Sequence, residues 1–278
     1  LFPAVFKKAG FDVRLIDFQF SRSRTGYMFE YHCSYFLNPQ KIQDQCFDFR
    51  NDTIFQYDGS GIDRYSGDLA HNGKSLNIIH LQGQHLPPSA HYDASELETR
   101  FTADSILRPD LNQKEREEVA EYDNCTMYND WVMKRIFDLF RRDDAVVVYF
   151  SDHGEQIYDD ERHIYGRTYG GFTSDAVACL YEIPFVVWVS DRFKERHGDK
   201  LKKIGESSGK PFASDDVCYL LFDLAGIDFK GNDKSRSPIS LDFLPRERIL
   251  VMGEAKYEYD RHKSEVDEAK LLVPSKNK

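Results

Sequence analysis

The chain has 278 residues, and its composition of 41% hydrophobic and 30% charged residues is typical of a folded protein with a substantial core. The net charge of -10 argues against nucleic-acid binding, because a phosphate backbone is held by an excess of Lys and Arg. No apolar run approaches the roughly 20 residues that a membrane-spanning helix needs.

Helix and strand patterns alternate along the chain. The predicted elements are, in order, a helix at 3–10, strands at 12–17 and 75–81, a long helix at 115–141, strands at 144–150 and 183–189, and a helix at 214–225. The strand at 144–150 is almost entirely apolar, as expected when helices cover both faces of a sheet. This order predicts an α/β fold, a three-layer α/β/α sandwich with a mainly parallel sheet. We expect one domain over residues 1–256 and a charged, peripheral tail over 257–278.

A pair of metal-type ligands follows the apolar strand at 144–150. Asp152 and His153 come directly after it, and Gly154 permits a turn that aims both side chains at one ion. A carboxylate oxygen and an imidazole nitrogen form a good donor set for Zn²⁺. An isolated Asp-His pair is more often a turn cap beside a solvated histidine. Since ligands bind at the carboxyl ends of parallel strands, the position of this pair favours a metal site.

Two further histidines lie in glycine-bearing loops. His85 follows the strand at 75–81 in a loop stiffened by two prolines, so its side chain is expected to point outward, where it binds metal or donates to a phosphoryl oxygen. His163 lies ten residues after His153, and we expect its glycine-bearing loop to bring it over the substrate phosphate. Either histidine, taken alone, is more often an exposed loop residue. Glu155 is a candidate for orienting a metal ligand, or else begins a helical turn.

The other histidines and the cysteines predict no second site. His80 lies in an apolar strand and is interpreted as a core histidine, and His91 is assigned no role. The cysteines form no CxxC pair, which argues against a zinc knuckle. Cys33 and Cys46 lie in a polar stretch and are either free thiols or, in an oxidising compartment, a disulfide. The remaining cysteines, in apolar contexts, are expected to be small buried residues: Cys125, Cys179 and Cys218.

Several segments, in this order, resemble the phosphoethanolamine transferases of the alkaline phosphatase and sulfatase superfamily. They are residues 3–20, 79–85 (IHLQGQH), 122–139, 148–155 (VYFSDHGE) and 182–190 (EIPFVVWVS). The combination is specific, although SDHGE alone marks the wider superfamily. The resemblance extends from residue 1 to about 248 and implies an alkaline phosphatase/sulfatase-like fold.

The resemblance implies roles for individual residues. Asp152 and His153 fall on two zinc ligands, and His85 falls on a histidine that contacts the phosphoryl group or a second zinc. His163 matches the histidine that follows SDHG, although ERHIYGR departs from the family's YLHG. Glutamines at positions 82 and 84 replace the usual methionine and serine or asparagine. The family's threonine nucleophile and an early acidic ligand lie upstream of the segment that Leu1 begins. We therefore expect this chain by itself to be inactive.

The activity implied is zinc-dependent transfer of phosphoethanolamine from phosphatidylethanolamine to lipid A or to the lipopolysaccharide core, through a covalent threonine intermediate. Residues 1–256 would then be a periplasmic catalytic domain, attached to the inner membrane through an N-terminal region that this sequence does not contain. The alternatives are a related sulfatase, phosphodiesterase or glycerol-phosphate transferase, and a non-catalytic binding domain on the same scaffold. The GxSxG string GESSG at 205–209 does not follow a predicted strand and so is no nucleophile elbow, and Walker A and GxGxxG motifs are absent. Serine hydrolysis, P-loop chemistry and dinucleotide redox chemistry are therefore unsupported.

Overall fold

Helices and strands alternate in the computed structural model, which describes residues 1–19, 40–53, 55–96, 100–159, 162–167, 174–252 and 255–262. The helices are α1 (Phe2–Lys8), α2 (Gln40–Cys46), α3 (Asp58–Tyr65), α4 (Gln113–Phe140), α5 (Ser174–Tyr181), α6 (Asp191–Arg196), α7 (Gly198–Ser207) and α8 (Val217–Ala225). The strands are β1 (Asp12–Asp17), β2 (Phe49–Arg50), β3 (Ser75–His80), β4 (Val146–Phe150), β5 (Gln156–Ile157), β6 (Tyr165–Gly166), β7 (Phe185–Val189), β8 (Ile249–Met252) and β9 (Ala255–Glu258). The chain divides into two compact units, Leu1–Val147 with Trp188–Arg196, and Val148–Val187 with His197–Lys278.

The first unit contains a parallel sheet in the order β2-β1-β3. β1 alternates half-buried and buried positions over its first four residues and is buried from Leu15 to Asp17; Val13 and Ile16 are fully enclosed in the core. The register between β1 and β3 runs without a break from Asp12 opposite Ser75 to Asp17 opposite His80. The predicted strands and their parallel pairing are therefore confirmed, and the carboxyl ends of β1 and β3 meet at one edge of the sheet.

The long helix α4 forms as its sequence pattern predicts. Asn112 and Glu115 form a reciprocal capping box at its start, which satisfies two main-chain N–H groups that the helix leaves unpaired. One face of the helix is buried at spacings of three and four residues, as expected for a helix packed on a core: Ala120, Asn124, Cys125, Tyr128, Val132, Ile136 and Phe140.

β4 and β7 pair with each other, and their predicted positions are confirmed with slightly shorter bounds. β4 is less buried than its almost entirely apolar sequence predicts, since its first four side chains are half-buried and Phe150 is exposed. In the described part of the sheet, β7 is the one strand that pairs with it. Phe150 instead stacks on Phe185, with ring centroids 5.7 Å apart.

The C-terminal part of the second unit is built from α8 and a hairpin. α8 ends at Gly226, whose φ of 67° lies in the left-handed region that glycine adopts without strain. β8 and β9 pair in antiparallel fashion, and the predicted boundary between residues 256 and 257 falls within β9. Beyond it, the buried Tyr259 hydroxyl donates to Glu182 Oε1 at 2.6 Å. Residues 263–278 of the predicted tail lie outside the described residues.

Two features bear on compartment and topology. Cys46 is a free, buried thiol. Cys33, its partner in the alternative disulfide, lies outside the described residues. In the part of the chain that the structure describes, no helix combines the length and the apolar character required to cross a bilayer.

Candidate functional site

A histidine and a buried aspartate meet where β1 and β3 end. Asp17 Oδ1 lies 2.9 Å from His80 Nδ1, and Asp17 Oδ2 lies 3.8 Å from Arg50 Nη2. The Asp17 side chain is 4% exposed, whereas that of His80 is 40% exposed. The interpretation of His80 as a core histidine is therefore wrong, because the parallel register places it at the sheet edge beside Asp17. A carboxylate that fixes the orientation of an imidazole suits it to proton transfer or charge stabilisation.

The segment after β3, residues 81–85, carries His85 and is called the His85 loop. The main-chain N–H groups of Gln82 and Gly83 donate to Asp58 Oδ1 and Oδ2 at 2.8 and 2.9 Å. Gly83 has a φ of 57°, which explains why glycine occupies the turn. His85 is exposed, as expected, and its ring centroid lies 5.8 Å from that of His91.

Burial perturbs the titratable groups beneath the His85 loop. Desolvation raises the pKa of Asp58 to about 6, although its two main-chain hydrogen bonds and the charge of His80 act in the opposite direction. Burial likewise raises the pKa of Cys125 to about 12. Desolvation, together with the charge of His85, lowers the pKa of His91, whose Nδ1 is buried and has no hydrogen-bond partner among the described residues. The side of the loop that faces the protein is therefore a poorly solvated environment.

The two predicted metal ligands lie together in the segment after β4, residues 151–155, which is called the His153 loop. Asp152 Oδ2 is 3.3 Å from His153 Nε2, and Asp152 Oδ1 accepts a hydrogen bond from the main-chain N–H of His153 at 3.0 Å. The Asp152 side chain is 80% exposed. Gly154 donates to the Leu180 carbonyl at 2.9 Å, and a Cβ on it would lie 2.0 Å from the Cys179 carbonyl oxygen. Glycine is therefore required where the chain turns.

Glu155 and Arg167 surround the ring of His153. His153 Nδ1 lies 3.0 Å from the Gly154 carbonyl oxygen and 3.7 Å from Glu155 Oε1. Arg167 reaches the opposite nitrogen, with Nη1 2.9 Å from His153 Nε2, and its Nε lies 3.2 Å from Glu155 Oε1. The carbonyl makes Nδ1 the protonated nitrogen and leaves the lone pair on Nε2, which is the tautomer that binds a metal. Sequence reasoning missed Arg167, because no local pattern marks the residue that follows β6.

His163 lies in the connection between the paired strands β5 and β6. Its φ is 50°, and its ring centroid is 6.3 Å from that of Tyr158, whose φ of 60° is also positive. Residues 160 and 161 of this connection are outside the described part. The structure thus groups Asp152, His153 and Arg167, and places His163 against Tyr158. The catalytic role of His163 stays a prediction.

Zinc fits the donors of the His153 loop. An exposed carboxylate and an imidazole with its lone pair on Nε2 lie side by side, and both are ordinary zinc ligands. Arg167 Nη1 lies 2.9 Å from this Nε2, so zinc would take the place of that contact. Among the described residues, no group of three or more His, Cys, Asp and Glu side chains is placed to hold an ion. Asp152 and His153 would therefore supply two of the three or four protein ligands that zinc usually takes.

Comparison with known proteins identifies relatives over most of the chain. The profile of the sulfatase family matches residues 1–227. The phosphoethanolamine transferase EptC of Escherichia coli K12 is 30% identical over 172 residues, which are 61% of this chain and 29% of that protein. The phosphoethanolamine transferase CptA of Salmonella typhimurium LT2 is 27% identical over 206 residues, 73% of this chain and 33% of that protein. The chain thus matches about a third of the length of these relatives.

Solved structures show the same fold. The C-terminal periplasmic domain of EptC from Escherichia coli, in complex with Zn, superposes with a TM-score of 0.72 at 24% identity, covering 91% of this chain and 70% of that one. The corresponding domain of EptC from Campylobacter jejuni gives a TM-score of 0.61 at 18% identity, covering 86% and 70%. The α/β architecture expected from the sequence, alkaline phosphatase/sulfatase-like, is therefore confirmed.

Proposed function

The chain belongs to the sulfatase family, and on that premise we propose that it is the catalytic part of a zinc-dependent phosphoethanolamine transferase. The observation that carries the proposal is the Asp152–His153 pair, which lies at the carboxyl end of β4 with its imidazole in the metal-binding tautomer. Relatives named phosphoethanolamine transferases support this choice among the activities of the family. We propose phosphatidylethanolamine as the donor, lipid A or the lipopolysaccharide core as the acceptor, and the periplasm as the compartment.

Asp152 and His153 would hold the zinc, which when bound would stabilise charge on a phosphoryl oxygen and activate a hydroxyl nucleophile. The Gly154 carbonyl fixes the ring of His153, and Glu155 lies near the same nitrogen. Arg167 places a permanent positive charge beside the ligands, where it can bind a phosphoryl oxygen through its planar fork of donors.

His85 and His163 would act on the phosphoryl group by neutralising its charge or by protonating a leaving oxygen. In the first step a threonine Oγ–P bond forms, the bond from phosphorus to the diacylglycerol oxygen breaks, and that oxygen takes a proton. In the second step the acceptor oxygen loses its proton and bonds to phosphorus, the threonine Oγ–P bond breaks, and the threonine recovers its proton. The proposal assigns this threonine to no residue of the present sequence.

The test uses the longest natural protein that contains this chain. Zinc content is measured by mass spectrometry, and transfer is measured from labelled phosphatidylethanolamine. We expect bound zinc in the wild type and its loss in Asp152→Asn and His153→Ala, since removing even an outer partner of a ligand lowers metal affinity by about 10–100-fold. His71→Ala is the matched control, because His71 also pairs with an aspartate, Asp143, at 2.7 Å. It should keep both zinc and activity.

Three results would contradict the proposal in different ways. A folded wild type that stays metal-free when offered zinc would leave a non-catalytic binding domain. A zinc-loaded protein that hydrolyses phosphodiesters or sulfate esters without transfer would point to a related hydrolase. Transfer of glycerol phosphate in place of phosphoethanolamine would replace the substrate class.

A further inference from the structure

A buried carboxylate to which the proposed mechanism gives no role lies beneath the His85 loop. Asp58, the first residue of α3, is 2% exposed. Both of its oxygens accept main-chain N–H groups of the loop, Oδ1 from Gln82 at 2.8 Å and Oδ2 from Gly83 at 2.9 Å. Hydrogen bonds to a carboxylate are roughly twice as strong as those between neutral groups. Asp58 therefore ties two consecutive peptide units to the start of another helix.

The start of α3 is itself fixed by close packing. A Cβ on Gly59 would lie 2.5 Å from Glu96 Oε2 and 2.6 Å from Tyr128 Oη, so a larger residue at this position would require these side chains to move. The Gly59 N–H donates to Tyr128 Oη at 3.1 Å. A Cβ on Gly61 would lie 2.5 Å from the ring of Phe18, just beyond β1. Asp58 thus extends from a helix end that packs closely against α4 and against Phe18.

The other contacts of the loop are weaker or more exposed. Gln84 Nε2 donates to Thr126 Oγ1 at 2.7 Å on the surface, and Cys125 Sγ approaches the Gly83 carbonyl at 3.5 Å. Gln82 Nε2 donates to the Phe18 carbonyl, and Gln19 Nε2 donates to the Leu81 carbonyl, both at 2.9 Å. These are single contacts between neutral groups, whereas Asp58 holds both N–H groups immediately before the segment Gln84–His85. Asp58 is therefore the principal anchor of the loop.

We infer that Asp58 is a positioning residue, which sets the place at which His85 meets a phosphoryl group by holding the main chain of Gln82 and Gly83. The role of His85 in this inference rests on the proposed function, whereas the anchoring of the loop by Asp58 does not. Asp58 does not touch substrate in this arrangement. It acts through the loop, and displacing a catalytic group by about 1 Å lowers a rate by about 100-fold.

The first test replaces Asp58 by asparagine in the longest natural protein that contains the chain. Asparagine keeps the volume but offers one acceptor oxygen and turns an NH₂ group toward the second N–H. We expect kcat for transfer to fall by about 10–100-fold while KM for phosphatidylethanolamine changes little. Asp48→Asn is the matched control, because Asp48 Oδ2 also accepts a main-chain N–H, that of Val13 at 2.9 Å, at the opposite end of β1. It should leave kcat unchanged.

A second measurement separates positioning from stability alone. In a His85→Ala background, Asp58→Asn should cost little further activity, since both changes disable the same group. An equal loss in both backgrounds would overturn the inference.

Amide hydrogen exchange, followed by NMR on zinc-free protein, tests the anchoring directly. The amides of Gln82 and Gly83 should exchange faster in Asp58→Asn than in the wild type or in Asp48→Asn. Unchanged exchange would overturn the inference whatever the activity. Faster exchange in a protein whose wild type transfers nothing would overturn the proposed function while still supporting the anchoring of the loop by Asp58.

Discussion

The His85 loop and the His153 loop both follow a strand at its carboxyl end, yet they are held in different ways. The His85 loop is fastened by residues remote in sequence, since Asp58 and Thr126 both belong to helices outside it. The His153 loop is shaped largely by itself: Ser151 Oγ donates to the His153 carbonyl at 2.5 Å, and Asp152 Oδ1 accepts the His153 N–H. Gly154 donates to the Leu180 carbonyl of α5, and Arg167 contacts His153 and Glu155 from outside the loop.

This difference determines where each loop is vulnerable. Loss of Asp58 in α3 should displace the His85 loop although it lies 24 positions from Gln82 in sequence. The His153 loop should be sensitive mainly to changes within residues 151–155 and at Arg167, and above all to loss of its glycine. The predictions that follow first concern Asp58, which holds the His85 loop, then Gly154 in the His153 loop, and then the exposed contact between Gln84 and Thr126.

The largest expected effect is a pH dependence of stability that belongs to Asp58. Burial raises its pKa from 3.8 to about 6 in the folded protein, so the native state holds this proton more tightly than the unfolded chain does. The stabilisation is complete below pH 3.8 and is lost as the pH rises through about 6. At about 1.36 kcal/mol per pKa unit the loss is roughly 3 kcal/mol. Urea unfolding of wild type and Asp58→Asn between pH 4 and 7 measures it. Parallel pH curves for the two proteins would contradict the assignment.

Gly154→Ala should break the His153 loop. The new Cβ would lie 2.0 Å from a main-chain oxygen, that of Cys179, which cannot rotate away. We expect a loss of about 1–3 kcal/mol in the free energy of unfolding, together with weaker zinc binding. Gly205→Ala in α7 is the control, since nothing lies within 4 Å of its added Cβ, and it should stabilise by about 0.4–1 kcal/mol. A Gly154→Ala protein that unfolds and binds zinc like the wild type would refute the close approach.

Thr126→Val should have the smallest effect, and it tests whether Asp58 is the principal anchor of the His85 loop. It removes the exposed hydrogen bond from Gln84 at nearly constant volume. A change of less than about 0.5 kcal/mol in the free energy of unfolding is expected, with kcat unaltered. If kcat instead fell as far as in Asp58→Asn, the loop would depend on its side-chain contacts rather than on Asp58.

The features that the sequence predicted correctly are those with local signals. The helical pattern of α4 lies within one stretch of chain, as do the strand pattern of β1 and the glycine that ends α8. The grouping of Asp152 with His153 likewise follows from adjacency and the glycine after them.

The parts of the site that sequence reasoning missed depend on partners far along the chain. His80 lies in an apolar strand, and only the register with β1, 63 residues away, shows that it pairs with Asp17. Asp58 stands in a polar stretch with nothing to distinguish it from its acidic neighbours until α3 packs against α4. Arg167 reaches His153 through the hairpin of β5 and β6. Tertiary contacts of this kind leave no pattern in a single sequence.

Asp58 accepts hydrogen bonds from main-chain N–H groups rather than from side chains, and this has an evolutionary consequence. Every residue except proline presents the same donor at position 82, whatever its side chain. The glutamines at positions 82 and 84, which replace residue types usual in the resembled family, therefore leave the attachment intact. Divergence can therefore alter the side chains around His85 while the histidine itself keeps its position.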